Sequence, residues 1–396
     1  MPRHGLIDGL RGFFLVFMLV NHLVFQGDYW MLRVNHNQLA FVEDAQGFVF
    51  LSGLMIGLVY GRKMLTLGYR EGRRQVWSRA FQLYRYAMGI VLVVLVARAL
   101  LPDAARLWGN WLGGTSLADP LRLAAIATFL FQPTVMDILP QYVIYMLVAP
   151  PVLRLCLDGR VLPVATASGL LWMAGQLGLQ HVVTDPLGRL VTGHDGQGVR
   201  ASFNLLGWQM VFFSGMIAGA LTASGRCDWR QIFRADAAWV GGVALAVCLF
   251  FAPLRLFSAY GMLPQVIIER IDTLGVRGDF GPIYLVNFAA AVTGLTWLLI
   301  AGPAHHRPAV RRAAGVARGL FSLAYLRLLG RHSLHVYVWH VAIVYAVYYV
   351  DQAHGPYPEW AKTAVALGGI AMLSLPALWR ERRAIMERRR AAESSS

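Results

Sequence analysis

The chain has 396 residues, of which 57% are hydrophobic and only 14% charged, and its formal net charge is +15. A soluble domain carries about 25% charged residues, and here the mean hydropathy is +0.51. Composition therefore excludes an ordinary soluble enzyme. It points to an all-α polytopic integral membrane protein, since helices or closed barrels alone satisfy the backbone in lipid. The apolar runs are long and unbroken, without the period-2 alternation of a barrel strand. The positive charge does not require nucleic acid, because the arginines sit in short segments between apolar runs, as the positive-inside rule describes.

About ten transmembrane helices are predicted, at roughly 12–27, 45–61, 81–101, 137–157, 161–180, 203–223, 237–254, 282–301, 332–350 and 361–379. The intervening segments alternate between an arginine-rich set and a set poor in base and rich in Gly, Pro, Asp and Trp. Both termini are therefore expected to be cytoplasmic. Residues 1–380 read as a single transmembrane domain. Residues 381–396 read as a basic cytoplasmic tail, a helix end followed by a disordered stub.

The first run, Asp8 to Gln26, carries Asp8, Arg11 and His22 on nearly one helical face. Arg11 and His22 are eleven residues apart, about 16 Å along a helix and roughly half a bilayer core. An ionisable residue at that depth marks a functional site by default. The plain alternative is a histidine hydrogen-bonded inside a helix bundle. Arg11, at the cytoplasmic surface, also serves as an ordinary interface anchor.

In the second run Gly53 and Gly57 form a small-xxx-small pair suited to close helix packing, and Gln46 and Ser52 are its polar groups. Each of those two has a binding reading, to a thioester or hydroxyl, and a packing reading. The basic segment after it, with Arg62, Arg70, Arg73 and Arg79, reads as topology plus anionic-lipid contact. It also reads as a dock for a polyanion such as the phosphates of coenzyme A. Arg85 sits within the third run, where a charge is harder to dismiss.

Trp30, Trp108 and Trp111 lie in the base-poor segments. Aromatic faces stack on sugars, and the same residues fit the interfacial belt. Gln209 places an amide inside the sixth run, where it serves as interhelical glue. The ninth run opens with His332, His335, Tyr337 and His340, whose spacing suits no metal site; among them His340 is expected to face the polar interior. No metal and no permanently bound cofactor is expected. Walker A, Rossmann and nucleophile-elbow signatures do not occur.

Several fragments, in order, resemble the OpgC family of membrane proteins, within the broader acyltransferase-3 superfamily. They are D8-G-L-R11-G with His22 eleven residues after Arg11, F48-V-F-L-S52-G53 leading to V59-Y-G-R62, and R79-A with Y84-R85. L139-P-Q-Y142, F203-N-L-L-G-W-Q209 and G330-R-H-S333-L running to His340 complete the series. The resemblance covers nearly the whole chain. It departs from the family at Asn21 and Gln46, where acids are common.

The resemblance implies a multi-pass protein of the bacterial inner membrane. Its implied activity is transfer of a succinyl group from cytoplasmic succinyl-CoA to hydroxyls of periplasmic glucans. His22 would be the essential histidine, with Arg11 at its cytoplasmic end. Arg62, Arg73, Arg79 and Arg85 would hold the acyl-CoA donor, and Trp30, Trp108 and Trp111 would face the glucan acceptor. Asp8, Gln46, Ser52 and His340 would give polar support: Asp8 by pairing Arg11, the others by donating to a developing oxyanion. Partners implied are the donor and the glucan; the lipid bilayer is expected and nucleic acid is not, and the sequence leaves open whether the chain forms a homo-oligomer. The competing readings are transfer of another acyl group to a different surface glycan, and a glycan transporter or flippase without chemistry. The absence of self-similar halves counts against transport.

Overall fold

The computed structural model describes residues 5–27, 29–33, 39–193 and 195–393, with side chains through residue 387. The named helices are α1 (Gly5–His22), α2 (Asp44–Leu67), α3 (Tyr69–Leu100), α4 (Pro120–Ala127), α5 (Ile138–Leu157), α6 (Val161–Gln176) and α7 (His181–Val191). Beyond these come α8 (Leu205–Ala223), α9 (Ala238–Ala259), α10 (Pro282–Ile300), α11 (Ala324–Arg331), α12 (Ser333–His354), α13 (Glu359–Met372) and α14 (Ser374–Glu393). Among the described residues the fold is all-helical, with nine helices long and apolar enough to cross a membrane. The segment 161–180, expected as one span, is the first arm of a pair, α6 and α7, bent by 58°; counting that pair gives ten.

Three boundaries differ from expectation for physical reasons. The first span, expected at 12–27, is helical over Gly5–His22 and stops at His22. Past it the chain is held by side chains: the Gln26 amide donates to Asp351 Oδ2 at 2.6 Å, and Lys362 Nζ donates to the Gln26 carbonyl at 2.9 Å. The basic segment 62–79, expected as a loop, is almost wholly helical. α3 runs for 32 residues, about 48 Å at 1.5 Å per residue, so its arginine-rich first third extends beyond a ~30 Å hydrocarbon core. The expected stub after residue 390 is helical through Glu393, and 394–396 lie outside the described residues.

The chain clusters into two compact units. The first combines Met1–Asn35 with Gly315–Ser396; the second is His36–Ala314. In the first unit, α1 packs closely on the segment ending in α11 because three glycines permit it. A Cβ on Gly9 would strike the Phe321 carbonyl, one on Gly12 the Leu326 carbonyl, and one on Gly330 the Asp8 carbonyl. The glycines of D8-G-L-R11-G and of G330-R-H-S333 are thus two sides of one backbone crossing.

In the second unit, Gly53 and Gly57 of α2 press on the Phe212 and Met216 carbonyls of α8. Gly215 and Gly219 of α8 press back on Phe50 and Leu54. This reciprocal small-residue seam is the expected small-xxx-small contact, used by both helices. Within α2 a π-helical turn, Ile56–Tyr60, interrupts the α-helix. Such single turns shift the register of the remaining helix and are frequent at functional sites.

Candidate functional site

In the first unit, α1 and α12 carry the polar residues of two distant fragments and bring them into register. Arg11 Nη2 donates to Ser333 Oγ at 2.6 Å, and His22 Nδ1 lies 3.1 Å from His340 Nε2. The two imidazoles are 5.4 Å apart between centroids and inclined by 29°. His340 is wholly buried, and its Nδ1 bonds the Tyr337 carbonyl.

Those contacts set the tautomers. A carbonyl only accepts, so His340 Nδ1 carries the proton and, with the ring neutral, Nε2 is the acceptor. His22 must then donate from Nδ1, which leaves the lone pair on its Nε2. The dyad therefore defines which nitrogen of His22 is basic. This partner for His22 was not foreseen; one signal was available, the crowding of His332, His335, Tyr337 and His340 in one membrane-length run.

Asp8 Oδ2 lies 3.9 Å from Arg331 Nε, and Arg331 Nη1 lies 3.4 Å from Glu381. Asp8 is therefore tied to the start of the ninth run. Trp30 is about half exposed, and its indole N–H donates to Thr363 Oγ1 at 2.7 Å.

The remaining expected residues belong to the second unit, where the arginines differ sharply in setting. Arg79 Nη1 donates to Gln82 Oε1 at 2.5 Å. It lines a polar cavity of about 430 Å³ with Tyr60, Arg74, Gln75, Ser78 and Gln82. Tyr60 is the last residue of the π turn, so that irregularity ends on the wall of this cavity. Arg73 instead lies over the rings of Tyr69 and Trp77, at 5.7 and 4.9 Å. Arg62 is partly buried and its carbonyl accepts from Thr66, and Arg85 is exposed on α3. Tyr60, Gln75, Ser78 and Gln82 were not anticipated; tyrosine in an apolar run gives no signal by itself.

Gln46 and Ser52 lie on α2. Gln46 Oε1 accepts from the Glu43 amide at 3.1 Å, and the side chain is fully buried. Ser52 is partly buried. Trp108 and Trp111 are both buried, so packing within the base-poor segments uses their faces and leaves neither open for sugar stacking.

F203-N-L-L-G-W-Q209 is a clamp. Asn204 caps α8 and donates to Asp279 Oδ1 at 2.9 Å, and the Trp208 indole donates to the Arg277 carbonyl at 3.2 Å. Gln209 exchanges two hydrogen bonds with Ser168 of α6, at 2.8 and 2.7 Å. It is the interhelical glue the sequence suggested.

Under the base-poor segments, Arg122 of α4 is buried, lies 4.1 Å from the Phe131 centroid and pairs with Asp195 at 2.5 Å. Burial alone would raise the Asp195 carboxyl pKa. The Gly114 and Gln197 amides and Arg122 outweigh that and hold it below the usual range.

Among the described residues no group of three or more His, Cys, Asp or Glu is placed to hold a metal ion. No curated protein and no solved structure matches the chain. One family does, the OpgC protein family, over residues 3–385. With nearly the whole length matched, from ahead of the α1–α11 crossing to beyond the His22–His340 dyad, the chain belongs to the OpgC family.

Proposed function

We propose that this protein is a membrane O-acyltransferase of the bacterial inner membrane that moves a succinyl group from succinyl-CoA to hydroxyls of periplasmic glucans. Family membership suggests a glucan-modifying, acyltransferase-like role in a multi-pass membrane protein. The donor, the acyl group, the cytoplasmic placement of both termini and the catalytic base are our reading. Its main support is the His22–His340 dyad, with Nδ1 of one ring 3.1 Å from Nε2 of the other.

His22 acts as general base. Its Nε2 takes the proton from a glucan hydroxyl as that oxygen attacks the thioester carbonyl. The tetrahedral intermediate then collapses, the carbon–sulfur bond breaks, and the coenzyme A thiolate leaves with the proton returned from His22. His340, anchored on the Tyr337 carbonyl, positions His22 in the tautomer that keeps Nε2 basic. Arg79, in its polar cavity beside Tyr60, is the arginine best set to meet the donor's phosphates.

The test is release of free coenzyme A from succinyl-CoA by purified protein in lipid nanodiscs, with and without glucan. Glucan-dependent release that His22→Ala abolishes, in a variant that still folds, is the expected result. Full activity in well-folded His22→Ala ends the base assignment; release indifferent to glucan ends the acceptor assignment. His340→Phe removes the acceptor on which the tautomer depends. It should lower kcat by roughly tenfold to a hundredfold and displace the pH–rate profile, a readout that a packing role alone would not move.

A further inference from the structure

α6 and α7 are two arms bent by 58°, and the second cannot cross a membrane alone. Its 11 residues rise about 16 Å, half of a ~30 Å hydrocarbon core. Its faces differ in chemistry. Val182, Pro186 and Leu190 recur at four-residue spacing and are exposed, whereas His181, Asp185 and Arg189, each one position earlier, line a cavity of about 950 Å³. A short helix with one exposed apolar face, in a membrane protein, lies along the bilayer surface with that face among the acyl chains. The cavity it covers is therefore within reach of lipid.

All of the lining belongs to the second unit, and the volume falls within the ~300–1,000 Å³ of small-molecule sites. Part of the wall is apolar: Leu130 ahead of α5, Leu179 at the bend, and Leu205 and Leu206 at the start of α8. Leu179 is 51% exposed although it lines the cavity, which puts a mouth at the bend. Gly188 borders open space, since a Cβ there would meet only the Val199 amide nitrogen, at 3.6 Å.

The charged groups on the wall are one guanidinium, two carboxylates and a histidine beside one of them. Arg189 has no ion-pair or hydrogen-bond partner among the described residues. Asp185 Oδ1 lies 3.2 Å from His181 Nδ1, and Asp279 Oδ1 accepts from Asn204 at 2.9 Å, so each carboxylate has its second oxygen left over. Gln180 adds a side-chain oxygen, Oε1, that is buried without a hydrogen-bond partner among the described residues. That atom only accepts, and leaving it unmet costs roughly 1–3 kcal/mol.

The site thus asks for an anionic group to meet Arg189, N–H donors for Gln180 and the carboxylates, and an apolar part for the leucines. A free phosphate supplies only the anion and faces two carboxylates. A sugar leaves the guanidinium without a counter-charge. A glycerophospholipid whose headgroup ends in a primary ammonium supplies all three. We propose that the α7 cavity binds one such lipid, with Arg189 on its phosphate, Gln180 and Asp279 on its ammonium, and the leucines on the first carbons of its tails. The assignment stands apart from acyl transfer, because neither the His22–His340 dyad nor the Tyr60 cavity takes part in it.

The experiment is native mass spectrometry of the full chain, stripped of lipid in detergent and titrated with dioleoyl phosphatidylethanolamine, phosphatidylcholine or phosphatidylglycerol. One phosphatidylethanolamine bound saturably, about tenfold or more tighter than either other lipid, is expected. The choline headgroup has no N–H to donate, and the glycerol headgroup has no cation. Arg189→Ala removes the phosphate contact, and Gly188→Leu adds bulk to the cavity without altering charge. Each should weaken phosphatidylethanolamine binding about tenfold or more, with a thermal midpoint near that of wild type. The headgroup ranking of wild type decides the matter by itself if a variant fails to fold. Equal affinity for the three lipids, the behaviour of an unselective lipid shell, overturns the proposal. Preference for phosphatidylglycerol does so too, as does unchanged affinity in both folded variants. Two competitors separate the other sources of the same chemistry. Phosphoethanolamine, the headgroup without tails, and gluco-oligosaccharides should both leave the lipid in place when added in large excess. Displacement by the first would make this a site for a free zwitterion, displacement by the second would give the cavity to a glycan, and either overturns the lipid assignment.

Discussion

Buried amides in the second unit meet the same problem in two ways. On the α6–α8 seam, Gln209 and Ser168 satisfy each other through two hydrogen bonds, and nothing polar on the amide is left over. Gln46 on α2 and Asn287 on α10 are equally buried and leave three polar atoms open among the described residues. A carboxamide in an apolar run is therefore no guide to its role. What separates the two amides is whether the opposite helix answers them. The His22–His340 pair of the first unit belongs with the answered seams for its Nδ1, but its Nε2 is the nitrogen that chemistry requires.

That distinction ranks the effects of substitution. The largest belongs to His22, whose paired nitrogen orients the basic one. His22→Ala should lower glucan-dependent release of coenzyme A by roughly 10²–10⁴-fold, the usual contribution of a positioned base. The thermal midpoint should fall only as far as the roughly 1–3 kcal/mol cost of an unanswered His340 Nε2. If the midpoint falls while the residual rate stays within a few-fold of wild type, the dyad is an answered seam and nothing more.

Next comes the answered ion pair under the base-poor segments. Asp195→Ala leaves the buried Arg122 without its carboxylate and should cost about 3 kcal/mol in stability. The pair also sets a pH dependence. The Asp195 carboxyl titrates below its ordinary value in the folded protein, so its contribution is complete above the unfolded-state pKa of about 4. It is lost as pH falls through the lower, folded value. The thermal midpoint of wild type should fall as pH is taken below about 4, and Asp195→Asn should flatten that fall. Equal slopes in both proteins would assign the acid sensitivity to other groups.

The comparison of amides gives its own pair. Gln209→Leu strips partners from the Ser168 hydroxyl and carbonyl and should cost about 1–3 kcal/mol. Asn287→Leu, at a comparably buried position, should cost nothing or stabilise. Equal losses in the two variants, measured by thermal unfolding in the same nanodiscs, would erase the difference between an answered and an open amide.

How much of this could be read from residues alone divides along the same line. Helix class, the apolar spans and the close-packing role of Gly53 and Gly57 were legible, because composition and local spacing carry them. His22 was legible as an ionisable group within an apolar run. Its partnership with His340 was not, since 318 positions separate them and two histidines in two apolar runs do not announce contact. The end of α1 at His22 was hidden for a related reason: Leu23, Val24 and Phe25 continue the apolar run, and Asp351 and Lys362 hold the chain beyond it from other helices. Asn287 gave no local sign at all, because an open amide and an answered one look alike until the facing helix is in place.

The arginines offer the smallest and sharpest test. Arg79 and Arg85 lie on the same helix six residues apart, and composition treats them alike. Arg79 enters a polar cavity with Tyr60 and Gln82, whereas Arg85 is exposed on the helix surface. If the cavity holds donor phosphates, Arg79→Ala should raise the succinyl-CoA KM about tenfold, near 1.4 kcal/mol for one charge-assisted contact, with kcat little changed. Arg85→Ala should leave KM within twofold. The reverse ranking would move the donor out of the Tyr60 cavity and onto the exposed face of α3, and the π turn at Ile56–Tyr60 would then need another explanation. A lowered kcat in Arg79→Ala at constant KM would instead place that guanidinium in the transition state, a role its hydrogen bond to Gln82 does not suggest.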